Sequence, residues 1–187
     1  MTAPLVTMLG DSLTAGYGLR ADEALPVRLL AWLAQLGSPA TVVNAGVSGD
    51  TMADGLRRMP RDVAAETRLC IVALGANDMM QMLPTDRIRV NLDAILTGLT
   101  ARRIPAMVCG MRAPPWFGPY ALAFDGLFRE VAERHGAALD PFLLEGIALN
   151  PAYALLDRIH PNARGVEVMA RRLAPRVTEV LNAQITA

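Results

Sequence analysis

The first place where this chain could hold a reactive group is Gly10-Asp11-Ser12-Leu13-Thr14-Ala15-Gly16-Tyr17-Gly18, directly after the apolar run Leu5 to Leu9. A hydroxyl at a strand end, among residues that permit a tight turn, can stand exposed as a nucleophile. A lone serine in that position more often caps a helix, and a free hydroxyl is a poor nucleophile at neutral pH without a base. The chain has two histidines. His135 ends a helical run just before Gly136 and reads as a solvated side chain near a helix carboxyl end. His160 lies in Asp157-Arg158-Ile159-His160-Pro161-Asn162. That spacing lets the Asp157 carboxylate reach the imidazole within a helical turn, hold its tautomer and stabilise the imidazolium formed in proton transfer.

Acyl transfer also needs donors for a developing oxyanion. Two further segments offer them: Asn44-Ala45-Gly46-Val47-Ser48-Gly49-Asp50-Thr51, whose glycines leave backbone N–H groups approachable, and Gly75-Ala76-Asn77-Asp78, where Asn77 brings a side-chain amide. Asparagine after a strand is also an ordinary turn residue. Spacing alone does not choose between Gly46 and Gly49.

These segments need a scaffold that brings them together. Apolar runs at Leu5 to Leu9, Thr41 to Val43, Leu69 to Leu74, Ala106 to Cys109 and Ala137 to Leu139 read as strands. Between them Leu25, Leu29, Leu33 and Leu36 precede Gly37, and Ile88, Leu92, Ile95 and Leu99 recur at helical spacing. Thr85 after Pro84 offers a helix cap, and a final helix repeats Val166, Met169, Leu173, Val177 and Val180, with a kink expected at Pro175. Five strands alternating with five helices imply a mostly parallel five-stranded sheet covered on both faces, a three-layer α/β/α sandwich of flavodoxin-like type. Ligands of such folds collect beyond the strands' carboxyl ends, where the reactive segments fall.

Gly10-Asp11-Ser12-Leu13, Ser48-Gly49-Asp50-Thr51, Gly75-Ala76-Asn77-Asp78 and Asp157 to Asn162 together, and in this order, resemble the four blocks of the SGNH, or GDSL, hydrolase family. The resemblance spans almost the whole chain and is strongest to the bacterial thioesterase, arylesterase and lysophospholipase branch. It implies Ser12 as nucleophile, His160 as base, Asp157 as its orienter, and the Ser12 N–H, the Gly49 N–H and the Asn77 amide as oxyanion donors. It favours Gly49 over Gly46 because the Ser-Gly-Asp-Thr string aligns there. For an acyl pocket, the apolar residues after the third and fourth strands stand out: Met80 and Leu83, then Met111, Pro114, Trp116 and Phe117. Methionine adapts to varied shapes, which suits a permissive site for aryl and short to medium acyl esters, although ordinary loop packing also accounts for such residues.

Bulk properties bound the rest. At 187 residues, 52% hydrophobic and 19% charged, the chain can bury one core, and residues 1–187 read as one domain. Eighteen basic side chains balance eighteen acidic ones, which gives no footprint for nucleic acid and favours small or neutral ligands, while the family resemblance implies a small-molecule ester as partner. No apolar stretch approaches the roughly 18 residues of a membrane span. No leader is visible before Leu5, so the chain reads as cytoplasmic as written, or periplasmic or secreted if a leader was trimmed. Cys70 and Cys109 sit in strand-like runs and read as free thiols. No metal ligands stand at suitable spacing and no cofactor is expected. A flavodoxin-like electron carrier would share the sheet but leaves Asn77 and the Asp157–His160 pair unused, and a nucleotide-triphosphate loop lacks its Gly-Lys-Ser or Gly-Lys-Thr. A non-catalytic acyl-binding module would not need the triad. A carbohydrate acetylesterase would use the same triad on a different ester. The oligomeric state is open.

Overall fold

The computed structural model describes residues 3–183. Its strands are β1 (Leu5–Gly10), β2 (Thr41–Gly46), β3 (Leu69–Ala73), β4 (Ala106–Cys109) and β5 (Ala138–Asp140). Its helices are α1 (Ser12–Ala15), α2 (Leu25–Gln35), α3 (Met52–Asp62), α4 (Ala76–Met80), α5 (Thr85–Ala101), α6 (Pro119–Arg134) and α7 (Ala163–Ala183). The sheet order is β2-β1-β3-β4-β5, and every pairing is parallel. Helix α2 packs against α7, while α3, α5 and α6 pack in series, as right-handed crossovers on two faces require.

The apolar periods land where burial needs them. Leu25, Leu29 and Leu33 of α2, Ile88, Leu92, Ile95 and Leu99 of α5, and Val166, Met169, Leu173 and Val177 of α7 are all inaccessible to solvent. Strands β1 and β3, sandwiched on both faces, are almost wholly buried, while the edge strand β2 is largely exposed. Cys70 and Cys109 are buried free thiols. No described helix is long and apolar enough to cross a membrane.

Several boundaries differ from the sequence reading. Among the described residues there are seven α-helices rather than five, because α1 and α4, four and five residues long, show no amphipathic period. Strand β2 continues past Val43 to Gly46, since ladder hydrogen bonds to β1 carry it through polar Asn44. Thr85 does not cap α5: it is the first helical residue, Pro84 holds the cap position, and no side chain bonds there. Helix α7 continues through Pro175, which lies on its exposed face.

The consequence for function is geometric. Chain order runs from β1 outward to β2 and then back past β1 to β3. The loops after β1 and β3 therefore diverge, opening a crevice at the strands' carboxyl ends.

Candidate active site

Ser12 opens α1 two residues beyond the end of β1. Asp11 caps that helix: its side chain accepts the Leu13 N–H at 2.9 Å, and its carbonyl accepts the Thr14 and Ala15 N–H groups. The turn is tight enough to dictate its glycines. A methyl group at Gly10 would meet Thr14 Oγ1 at 2.0 Å, and one at Gly46 would meet the Ala15 backbone nitrogen at 2.3 Å. Ser12 is thus held half-buried at the sheet edge of the crevice.

His160 arrives from the segment between β5 and α7. Its Nε2 lies 3.0 Å from Ser12 Oγ, and its Nδ1 lies 2.7 Å from Asp157 Oδ2. The carboxylate's other oxygen accepts the Ile159 and His160 backbone N–H groups at 2.9 and 3.0 Å. Those two backbone bonds, and then the imidazole, depress the Asp157 carboxyl to about 2, so it stays ionised over the neutral range. The pair is not set in a helical turn, as its spacing suggests. It sits in a non-helical loop closed by the Ala154–Pro161 bridge, with Arg158 in the left-handed region at φ 60. Asn162 braces the base of this loop by donating to the Ala152 and Ala154 carbonyls at 3.0 and 3.1 Å. The Tyr17 ring lies against His160, centroids 4.4 Å apart.

His135 is elsewhere, at the end of α6. It is not simply solvated: its Nε2 lies 3.0 Å from Asp93 Oδ1 on α5, and its side chain is 16% exposed.

The two glycines that spacing leaves open differ in what their N–H groups meet. The Gly46 N–H is already donated to Asn44 Oδ1 at 3.0 Å. Gly49 adopts φ 90 in a turn closed by the Asp50 N–H on the Val47 carbonyl, and neither its N–H nor that of Ser12 meets an acceptor among the described residues. Asn77, in the first turn of α4, donates to the Asp50 carbonyl at 2.9 Å and lies 3.5 Å from Asp11 Oδ2. Burial pushes the Asp11 carboxyl up to about 6, against the opposing pull of the Leu13 N–H and of His160. Asp78 is buried too, and its carboxyl is raised by burial while one oxygen accepts the Met52 N–H at 2.8 Å. Among the described residues no group of three or more His, Cys, Asp or Glu is placed to hold a metal ion.

A family model described as the GDSL-like lipase/acylhydrolase family matches residues 8–168. The chain belongs to this family. An arylesterase from Vibrio mimicus is 31% identical over 176 residues, covering 93% of this chain and 88% of that one. The thioesterase 1/protease 1/lysophospholipase L1 of Escherichia coli K12 is 32% identical over 183 residues, covering 96% and 86%. The crystal structure of AlinE4, an SGNH-hydrolase family esterase, superposes with a TM-score of 0.80 at 41% identity over 97% of this chain and 98% of its own.

The apolar residues singled out in sequence for an acyl pocket of this GDSL-family chain divide by exposure. Met80 and Trp116 are open to solvent, at 49% and 72%. Leu83, Pro114 and Phe117 are half-buried. Met111 is 3% exposed and belongs to the core, because β4 still lies between its covering layers where it ends. Three residues at the site were not reached from sequence: Tyr17 against His160, Asp11 with its buried carboxyl, and Arg58, described below. Only Asp11 and Tyr17 had a cue, since both lie within the segment that carries Ser12.

Proposed function

We propose that the chain is a serine esterase that cleaves carboxylic esters through an acyl-enzyme on Ser12. The observation that carries this is the continuous relay Asp157–His160–Ser12, with contacts of 2.7 and 3.0 Å. In this reading His160 Nε2 takes the Ser12 proton as Oγ attacks the ester carbonyl, and ionised Asp157 stabilises the imidazolium. The oxyanion meets the Ser12 N–H, the Gly49 N–H and the Asn77 amide, whose second hydrogen is held only weakly at 3.5 Å from Asp11. His160 then returns the proton to the leaving alkoxide, leaving the acyl group on Ser12. Water attacks that acyl group with His160 again as base, and the acid departs.

Exposed Met80 and Trp116, on the connections that follow β3 and β4, support aryl and short to medium acyl esters as substrates. The names of the relatives extend the range to thioesters and lysophospholipids. The test is covalent labelling. An organophosphonate should add one adduct per chain, mapped by mass spectrometry to Ser12, and Ser12→Ala should take up none and hydrolyse no aryl ester. An adduct on another side chain removes Ser12 from the mechanism.

A further inference from the structure

Arg58 lies on the inner face of α3, beside buried Gly55 and Met59, and is itself 9% exposed. A buried guanidinium requires acceptors for its fixed fork of donors, and those it has are unusual in where they come from. Its Nη2 donates to the Gly10 carbonyl at 2.7 Å, at the end of β1. Its Nη1 donates to the Ala45 carbonyl at 2.7 Å, near the end of β2, and to Asp62 at 3.1 Å. Its Nε binds the Asp50 carboxylate.

Two of these acceptors, the Gly10 carbonyl and Asp50, lie next to groups assigned above to the oxyanion, and Ala45 sits on the strand that leads into the Gly49 turn. Gly10 stands two residues before Ser12, and its carbonyl also takes the Val47 N–H at 3.0 Å, tying the nucleophile strand to the glycine turn. Asp50 follows Gly49 and closes that turn with its N–H. The Asp50 carbonyl, in turn, holds the Asn77 amide at 2.9 Å. The three proposed donors come from three separate strand ends, and one planar cation fastens two of those ends directly and the third through Asp50.

We infer that Arg58 is the positioning residue of the oxyanion hole. This rests on the serine esterase reading of the site. It touches no substrate and acts by fixing the relative placement of the Ser12 N–H, the Gly49 N–H and the Asn77 amide. Such donors stabilise the tetrahedral state only when their geometry is set beforehand, and a misplacement of about 1 Å can cost roughly 100-fold in rate. Lysine does not substitute, because a single ammonium cannot span the Gly10, Ala45 and Asp50 oxygens together.

The experiment compares Arg58→Met and Arg58→Lys with wild type, using turnover per phosphonate-titrated site on an aryl ester. Both variants should lose kcat by about 100-fold with KM nearly unchanged. Affinity for a trifluoromethyl ketone, which forms a tetrahedral adduct on serine, should fall by a similar factor. Added guanidinium ion should restore part of the kcat of Arg58→Ala. Arg172→Gln, which breaks a partly buried ion pair with Asp140 at the far edge of the sheet, controls for lost stability: its melting temperature should fall while kcat per site holds. Wild-type kcat per site in folded Arg58→Lys or Arg58→Met, or a loss confined to KM, overturns the inference. Should Arg58→Met not fold, Arg58→Lys and the guanidinium titration decide alone. A wild-type protein that takes no label on Ser12 defeats the esterase reading instead, whatever the Arg58 variants do.

Discussion

At the residue scale, in the proposed mechanism, the position of one proton on His160 decides whether Ser12 can be activated. Asp157 accepts from Nδ1 at 2.7 Å, which leaves Nε2 free to accept from Ser12 Oγ at 3.0 Å. In Asp157→Asn, the amide oxygen can keep the Ile159 and His160 backbone N–H groups that now bind Oδ1. The new NH₂ then faces Nδ1, forces the proton onto Nε2 and leaves nothing to accept the serine hydrogen. Turnover should fall by roughly 10⁴-fold with the fold intact by circular dichroism. His135→Ala is the matching control. It removes a partly exposed contact to Asp93, which Arg134 also binds at 2.8 Å, so kcat should be unchanged and stability should fall by no more than about 1 kcal/mol. A folded His135→Ala protein without activity would relocate the base. The sequence distinguished the two histidines by their surroundings, since a carboxylate three positions before His160 has no counterpart at His135. It did not show that Asp93 awaits His135 from another helix, because 42 positions separate that pair and no local period connects them.

At the element scale, the site depends on how closely the end of β2 approaches α1. Adding a methyl group at Gly46 drives it to 2.3 Å from the Ala15 nitrogen, a backbone atom with no freedom to withdraw. Gly46→Ala should therefore cost about 1 to 3 kcal/mol and displace Ser12, lowering both melting temperature and kcat. Gly126 provides the contrast. It lies on the exposed side of α6, without a positive φ and with open space where a Cβ would stand. Gly126→Ala should raise stability by about 0.4 to 1 kcal/mol and leave turnover alone. Equal effects at the two glycines, read by thermal melts, would contradict the close approach. The same packing explains what was legible. Long stripes such as Ile88 to Leu99 declare themselves because burial repeats every turn. Helices α1 and α4 do not, since each is a single turn pinned by caps and strand ends. They carry Ser12 and Asn77, so the elements hardest to foresee from periodicity hold the proposed reactive groups, which motif order pointed to instead.

At the scale of the whole molecule, the crevice collects buried charge while the ion pairs spread over the surface, and the two respond oppositely to pH. Asp11 is fully inaccessible, and burial raises its carboxyl from an ordinary value near 4 to about 6 in the folded state. Between those values the folded protein holds a proton that the unfolded chain has released. Stability from this group is therefore complete below about pH 4 and declines as pH rises through 6, by about 3 kcal/mol in total. Asp78, raised by burial as well, acts in the same direction. Asp54, Asp62 and Glu167 are paired and lowered, so their contribution is present above the unfolded carboxylate range and is lost as pH falls below it. The two trends cross in mildly acidic solution, where the melting temperature should be highest, and it should decline from there toward pH 7. None of this could be read from Gly10-Asp11-Ser12, because the burial of that side chain is a property of the assembled sheet. Asp11→Asn isolates the effect: the amide oxygen can still accept the Leu13 N–H held at 2.9 Å, and nothing remains to ionise. Its melting temperature should fall less steeply than wild type's between pH 4 and 6, the remaining slope being that of Asp78, and should exceed wild type's by a margin that widens as pH rises. Melts of the two proteins that run parallel across this range would show that Asp11 titrates normally, and that the crevice stores no such charge.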